Sequence, residues 1–408
     1  MDSFGRRCLG WHALLAFAGA FAASLFSTAI DAGQYEQPPA FQASQVLPPD
    51  LLRGPSYTVA NQVGLDDFQY VFQVDTAWGQ FAIRGSDLLR IRAREIAATA
   101  KLAQIDSAGT LVGAAGRTAL RPLGTAKGLL TQPGKTIGDT VQGVGNLFGS
   151  VDASMGATDP NKEKLIPSLT GGATARRKLA YDFGVDPNTR FPPLGDELTR
   201  LATANAIGET TTNVGLAFVT GGAGIAISAT STSQKLREAL RDKTAAQLEQ
   251  TGRQFLAEMG VTGAPVQAFY ANPNLSPTDK AIIVVALRQL DGAGGRAIFL
   301  ESAARAQNIE MGFFYRRQAE LIALYDKNVA PVAAFVRIGS APMLQTSKGT
   351  VSVLPVDYLY WSPPLESLVA GGGGGQIWIT GRASKLATSR LAARGWTLQA
   401  KAGARLGE

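Results

Sequence analysis

The clearest pattern along this chain is a strict alternation of apolar and polar residues between positions 57 and 84. Apolar or aromatic side chains occupy every second position from Phe68 to Val74, and polar side chains dominate the positions between them. This period is typical of a half-buried strand. The flanking stretches YTVANQV and WGQFAIR continue the pattern, so we predict a small antiparallel meander. Ser86 and Asp87 then predict the start of a helix that runs to about Ile105.

A second pattern occupies residues 123–151, where apolar residues recur every seven positions on a glycine-rich background. A helix places them on one narrow face. Glycines weaken that helix, so its apolar face must pack against the protein or against a membrane interface. Both alternatives stay open, and the membrane-contact candidates are Leu130, Ile137, Val144 and Phe148. The uncharged residues 210–234 predict a buried helical hairpin, with shallow membrane insertion as the alternative.

Helical signals dominate residues 234–331. Ser276-Pro277-Thr278-Asp279 has the residues of a helix start, and a long helix is predicted to end near Pro331. We expect Arg316 and Arg317, beside Glu320, to form a solvated ion-pair face of that helix.

The C-terminal part changes to strand patterns, with Lys348-Gly349 at a hairpin turn. QIWITGR, the helix ASKLATSRLAARG and WTLQAKA predict a βαβ unit. Its loop, residues 380–384, meets a helix N-terminus, where either an anion or ordinary capping is possible; we favour capping. The predicted fold class is therefore α+β, with a small N-terminal antiparallel meander, a mainly helical middle and a C-terminal mixed sheet with a βαβ unit.

These patterns divide the chain into six segments. They are a signal peptide (1–29), a proline-rich linker (30–56), a β-meander plus helix (57–110), a glycine-rich amphipathic and apolar helical region (111–233), a helical domain (234–331) and a C-terminal α/β region (332–408).

The first thirty residues have the layout of a secretory signal peptide. Arg6 and Arg7 precede the uncharged apolar stretch 13–26, and small residues at 27–29 offer a cleavage site. The general secretory route and the twin-arginine route both stay open. Cys8 and His12 are the only cysteine and histidine. After cleavage the chain would contain neither residue type, which excludes thiolate chemistry, Ser-His-Asp hydrolysis and Cys/His zinc sites.

Charge and motifs narrow the partners further. The net charge of +7 favours anionic partners such as a lipid surface, but no block of Lys and Arg predicts nucleic-acid binding. The segment GLLTQPGKT resembles a phosphate-binding loop. However, five residues separate Gly128 from Gly134, where the motif requires four, and Pro133 removes a backbone donor. We therefore expect no nucleotide, no nucleic acid and no cofactor.

Carboxylates remain as candidate chemical groups. Asp66 and Asp67 form an adjacent pair for acid–base or cation work, although turn chemistry explains them better. Asp357 lies among aromatic residues, and such surroundings can raise the pKa of a carboxyl group. These three are weak catalytic candidates, and we expect no metal site.

Several stretches also carry a resemblance. They are FQYVFQVDTAWGQFAIRGSDLLRIRAREI, the glycine-rich stripe, YDFGVDPNTRFPP, the GGAG segment and the closing unit from WITG to GW. Together they resemble a group of exported, uncharacterised bacterial proteins. The resemblance implies a periplasmic, envelope or secreted location and assigns no activity to any residue. We expect a non-enzymatic envelope protein that associates with membrane surfaces. The alternative is a carboxylate-dependent, hydrolase-like envelope enzyme.

The first prediction concerns export. We expect removal of the leader at Ser27-Thr28-Ala29, with Ala32 as a second cleavage option. N-terminal sequencing of the protein recovered from the envelope or the medium checks this. A recovered chain that still begins at Met1 would contradict it and would return Cys8 and His12 to the candidate chemistry.

Overall fold

In the computed structural model, which describes residues 35–105, 167–207, 234–339 and 341–408, the alternating segment forms an antiparallel sheet. Its strands are β1 (Phe41–Gln42), β2 (Arg53–Gly54), β3 (Tyr57–Asp66), β4 (Gln69–Thr76) and β5 (Gly79–Arg84). Strands β1, β3, β4 and β5 lie side by side in this order, and β2 also pairs with β3. Tyr70, Phe72 and Val74 are buried on one face of β4. The predicted N-terminal meander is confirmed.

The turn between β3 and β4 explains the Asp66-Asp67 pair. Asp67 and Phe68 both have positive φ angles, 46° and 67°, and a two-residue hairpin turn of the primed type requires this of both central residues. Asp66 forms an ion pair with Arg84, and Asp67 lies 3.8 Å from the same guanidinium. The pair therefore has the role in the turn that we favoured.

Residues 30–56 were expected to be a linker, and this is wrong for their described part. Two short helices, α1 (Ala43–Val46) and α2 (Pro49–Leu52), connect β1 with β2. Ala43, Leu47 and Leu51 are buried in the core beneath the N-terminal sheet. The prolines thus direct a compact turn-rich segment rather than an extended one.

We call the described residues from 35 to 207 the first half and those from 234 to 408 the second half. Among its described residues, the first half also has three longer helices: α3 (Ser86–Leu102), α4 (Pro167–Asp182) and α5 (Pro192–Ile207). The cap residue of α3 is Gly85, at φ 92°, so Ser86 is the first helical residue rather than the cap. The core of this half is formed by buried side chains from residues 43–202, among them Leu89, Ile96, Leu194 and Leu198.

The second half begins with six helices. They are α6 (Gln234–Asp242), α7 (Ala245–Glu258), α8 (Ala264–Ala271), α9 (Pro277–Arg288), α10 (Arg296–Ala303) and α11 (Ile309–Asn328). Ser276 caps α9: its hydroxyl accepts from the Asp279 N–H, and the Asp279 carboxylate accepts from the Ser276 N–H. The predicted helix start at Ser276 is confirmed.

The C-terminal elements build a mixed sheet. They are β6 (Val332–Ile338), β7 (Ala341–Thr346), β8 (Gly349–Leu354), β9 (Tyr358–Leu359), α12 (Pro363–Val369), β10 (Gly375–Ile379), β11 (Arg382–Ala383), α13 (Lys385–Ala392), β12 (Trp396–Gln399) and α14 (Gly403–Leu406). The strand order is β12-β10-β8-β7-β6, in which β12, β10 and β8 are parallel. The β10–α13–β12 segment is the predicted βαβ unit, and the α+β class is confirmed.

Helix α11 packs against several other elements. One side packs on α9 and another on β8, and the Tyr325 ring meets the Trp378 ring of β10 edge-on at 5.3 Å. Gln318 donates to the Val353 carbonyl from a buried position. Because α11 has neighbours on several sides, every residue from Arg316 to Tyr325 is buried.

This burial overturns the expectation for Arg316, Arg317 and Glu320, which do not face solvent. Their side chains are only 10%, 9% and 1% exposed. Arg316 pairs with Glu320 and with Asp279, and Arg317 pairs with Glu320 at 3.1 Å. Exposed and buried ion pairs on a helix have the same residue spacing in the sequence. Only the elements that pack around the helix decide whether the pair is buried.

The buried charges join the two halves of the chain. Arg317 Nε donates to the Asp87 carboxylate at 2.9 Å, and Asp87 lies in the first turn of α3. Arg317 also pairs with Glu408 at the C-terminal end. We call Asp87, Arg317, Glu320, Arg316 and Asp279 the central ion network.

The described residues between 36 and 408 form one compact unit, so the described parts of the predicted segments 57–110, 234–331 and 332–408 belong to one unit. The predicted signal peptide, the stripe at 123–151 and the apolar residues 214–229 lie outside the described residues. Among the described helices, none combines the length and the apolar character needed to cross a bilayer.

The network generates a stability prediction. We expect Glu320→Gln to lower the free energy of unfolding by about 3–5 kcal/mol, because two buried guanidinium groups lose a shared carboxylate. The control is Glu301→Gln, which removes the more exposed partner of Arg337 and should cost less than about 1 kcal/mol. Urea denaturation measures both. Equal midpoints for Glu320→Gln and the wild type would contradict a stabilising role for the network.

Candidate functional site

A cavity of about 140 Å³ opens where α3, α4, α6 and the start of α9 approach α11. Seven arginines line it: Arg92, Arg94, Arg177, Arg190, Arg237, Arg241 and Arg316. Three carboxylic acids share the wall: Glu95, Asp186 and Asp279. We call this the arginine cavity. Its wall combines residues from both halves of the chain, so it exists only in the folded protein.

The loop between α4 and α5 positions one side of the cavity. Gly184, with φ 66°, ends the helical region as the sequence predicted. The Asn188 N–H then donates to Asp186 Oδ1 at 2.8 Å, and the Thr189 N–H donates to the Asp186 carbonyl. This is the Asx turn that an Asp-Pro-Asn run favours. It holds Asp186, Thr189 and Arg190 at the cavity wall.

Helix α6 supplies a guanidinium pair on another side. Arg237 and Arg241 are four residues apart and therefore share one face of the helix. Their guanidinium carbons lie 5.1 Å and 4.5 Å from the centre of the Tyr181 ring. The ring face attracts both cations. Tyr181 thus holds two positive charges together beside the cavity.

Several of the lining arginines already have carboxylate partners. Arg92 pairs with Glu95, Arg241 with Asp242, and Arg316 with Asp279 and Glu320. Within the wall itself, seven guanidinium groups face three carboxylic acids. Asp182 and Glu238 act on the charge of these arginines from outside the wall, as Asp242 and Glu320 do. Burial lowers the pKa of Arg94 and the pKa of Arg237, because the charged guanidinium is partly desolvated.

Two of the three carboxylates of the wall, Asp279 and Glu95, have hydrogen-bond and ion-pair partners on both oxygens. Asp279 Oδ2 accepts from the Ser276 N–H and hydroxyl, while its Oδ1 pairs with Arg316. Glu95 pairs with Arg92 and accepts from the Thr189 hydroxyl. Burial raises the pKa of Asp186, the third carboxyl group of the wall, to about 6. Asp186 therefore changes its protonation near this pH.

The carboxylates singled out from the sequence lie elsewhere. Asp357 is placed between the two halves, where its Oδ2 accepts from the Tyr70 N–H at 2.9 Å and from the Ser86 N–H at 3.1 Å. Burial raises the pKa of Asp357 to about 6. The turn with Asp66 and Asp67 docks nearby, since the Phe68 carbonyl accepts from the Asp357 N–H. None of the three lines the arginine cavity.

The predicted membrane contacts are not part of this site. Leu130, Ile137, Val144 and Phe148 lie outside the described residues. The described residues include no cluster of three or more His, Cys, Asp or Glu side chains suited to a metal ion.

The loop at residues 380–384 caps a helix, as we favoured. It also binds a carboxylate of the same chain, that of Glu36. The Ser384 hydroxyl caps α13 by accepting from the Ala387 N–H. The same hydroxyl donates to the Glu36 carboxylate at 2.6 Å, and the Trp361 N–H donates to the same oxygen. The carboxylate of Glu36 therefore already occupies this end of α13.

The arginines of the cavity are visible in the sequence, but a search for continuous blocks of Lys and Arg does not find them. The stretches RIRARE, ARRK and LREALR each carry two or more arginines. They are far apart in the chain, so no local run of positive charge forms. Only the packing of α3, α4 and α6 brings them around one cavity.

Comparison with known proteins adds no relative, because no protein-family model, curated protein or solved structure matches the chain. The function is therefore inferred from the geometry of the site.

The environment of Asp357 generates a pH prediction. Its pKa is raised in the folded state, so the folded state binds the proton more tightly, and this stabilisation is lost as the pH rises through about 6. We expect Asp357→Asn to reduce the difference in unfolding free energy between about pH 5 and pH 7.5 by about 1 kcal/mol.

Thermal unfolding across this pH range measures the effect, and Asp196→Asn on the exposed surface of α5 is the control. If Asp357→Asn instead destabilised the protein more at pH 7.5 than at pH 5, the backbone donors would outweigh desolvation, and the predicted direction of the pH effect would be wrong.

Proposed function

We propose that this chain is a non-enzymatic envelope protein that binds a small anionic group in the arginine cavity. The observation that carries the proposal is that seven guanidinium groups and only three carboxylic acids line one defined cavity between the two halves. Burying like charges together is unfavourable unless an anion compensates them. A bound oxyanion supplies that compensation and accepts hydrogen bonds from several arginines at once.

The chemistry of the wall favours a phosphate or sulfate group. Guanidinium groups bind the oxygens of phosphate and carboxylate through paired hydrogen bonds. Thr189, which also lines the cavity, adds a hydroxyl to the wall.

The size of the cavity limits the ligand. Sites for drug-sized molecules measure about 300–1,000 Å³, whereas the arginine cavity measures about 140 Å³. A tetrahedral oxyanion fits this range, either free or as the end group of a larger molecule. An extended polymer does not fit inside it.

The arrangement of the carboxylates favours binding over hydrolysis. An acid–base enzyme of the glycosidase type requires two carboxyl groups directed at the substrate. In this wall Asp279 and Glu95 are committed to a helix cap, ion pairs and a threonine hydroxyl. Only Asp186 retains an uncommitted oxygen, so the wall lacks the second group.

Export and association with a membrane surface remain part of the proposal. The basic start and apolar stretch of the leader support export, and the net charge of +7 supports anionic partners. An envelope protein meets phosphate both as a free ion and on lipid headgroups. The apolar stripe at 123–151 would add contact with the acyl chains in the second case.

Binding of sulfate and inorganic phosphate to the purified chain tests the proposal. We expect calorimetry to detect saturable binding of both anions at constant ionic strength, and no binding of chloride. Arg237→Gln should weaken it about tenfold or more, because one charge-assisted contact is lost. Arg305→Gln, an exposed arginine outside the cavity, is the matched control and should bind like the wild type.

A vesicle experiment separates a free anion from a headgroup. Vesicles of phosphatidic acid carry a phosphate monoester, whereas phosphatidylcholine vesicles do not. If the ligand is a headgroup, the chain co-sediments with the former, free sulfate competes, and Arg237→Gln reduces the bound fraction. If the ligand is a free anion, Arg237→Gln weakens the anion affinity measured by calorimetry and leaves the vesicle-bound fraction unchanged. Binding equal in Arg237→Gln and the wild type would overturn the assignment of the cavity.

A further inference from the structure

The two oxygens of the Asp186 carboxyl group have different surroundings. Oδ1 accepts from the Thr278 hydroxyl at 2.6 Å and from the Asn188 N–H at 2.8 Å. No described residue donates a hydrogen bond to Oδ2, although Asp186 lines the arginine cavity. A carboxyl group with one oxygen saturated and the other unbonded has a defined place for a proton, namely Oδ2.

We propose that Asp186 takes up one proton from solvent when a dianion enters the arginine cavity and then donates that proton in a hydrogen bond from Oδ2 to the ligand. This inference rests on the proposed function, because it assigns a proton-linked role to a residue of the same site. Asp186 thereby becomes a specificity-determining residue that makes affinity depend on pH.

Some of the groups around Asp186 raise the pKa of its carboxyl group, and others lower it. Arg316 of α11 favours the ionised form, and Asp279 of α9 disfavours it. Thr278 of α9 and the Asn188 N–H of the same loop donate to Oδ1 and favour the carboxylate. Burial outweighs these effects and raises the pKa of Asp186 to about 6. A dianion brought into the cavity adds negative charge, which raises that pKa further.

The protonation of Asp186 determines how the ligand affinity depends on pH. The ligand binds better to the form with protonated Asp186, because repulsion is removed and a donor is gained. Affinity is therefore highest below about pH 6 and falls as the pH rises, by up to about tenfold per pH unit. The decrease levels off above the pKa that Asp186 has in the complex.

Sulfate is the appropriate probe, because it remains a dianion between about pH 5.5 and 8 and does not titrate itself. Calorimetry of the full chain in buffers with different ionisation enthalpies gives the number of protons taken up on binding. Near pH 6.5–7 we expect about 0.4–0.9 proton per sulfate. Millimolar sulfate also keeps general salt effects on stability small.

Asp186→Asn separates the proton role from a structural role. The asparagine carbonyl still accepts from Thr278 and Asn188, and its amide donates from the position of Oδ2. We expect this variant to bind sulfate with no proton uptake and, at pH 7.5, about tenfold or more tightly than the wild type. Asp196→Asn, on the exposed surface of α5, should retain the uptake of the wild type.

The outcomes separate the two proposals. Sulfate binding without proton uptake in the wild type overturns the role of Asp186 but leaves the anion site standing. Proton uptake that persists in Asp186→Asn also overturns this role. A wild-type chain that binds no sulfate overturns the proposed function, and the inference with it. Uptake by the wild type that disappears in Asp186→Asn supports the inference, and the wild-type measurement alone tests it should the variant fail to fold.

Discussion

Burying Arg316 and Arg317 in helix α11 is the constraint on which the rest of the structure depends. A guanidinium group removed from water requires carboxylate partners with good geometry. Glu320 supplies one partner from the same helix, but Asp279 and Asp87 come from other elements, and Asp87 belongs to the first half of the chain. The two halves therefore dock in an arrangement that satisfies several charges at once, which a purely apolar contact would not specify.

The arginine cavity follows from this polar junction. Two apolar faces close by interdigitating side chains, as they do within each of the two cores. Charged side chains with fixed partners fill space less completely, and the α4–α5 loop adds a turn rather than a packed helix. Arg316 belongs both to the central ion network and to the cavity wall, so the element that joins the halves also sets the charge that a ligand meets.

The sequence predicted the elements whose signals are local. Period-two alternation located β3, β4 and β5, the Ser276 capping box located α9, and Gly184 located the end of the α4 region. It mispredicted Arg316, Arg317 and Glu320 because charges spaced three and four residues apart look alike on exposed and buried helices. Residues 30–56 were predicted to be a linker, because proline content does not reveal that Leu47 and Leu51 are buried in a core. The arginine cavity escaped prediction since its members, between Arg92 and Arg316, meet only through tertiary packing.

Two places in the molecule suit an anion, and comparing them shows why one is the better ligand site. At the start of α13, the Ser384 hydroxyl and the Trp361 N–H both donate to Glu36, so the donors there already have an acceptor from the chain itself. In the arginine cavity the lining carboxylic acids are fewer than the guanidinium groups, and burial raises the pKa of Asp186 to about 6. The negative charge of an anion from outside the chain would raise this pKa further. In the proposed site, Asp186 therefore takes up a proton as the anion enters, which removes its repulsion and leaves the positive potential of the arginines to the ligand.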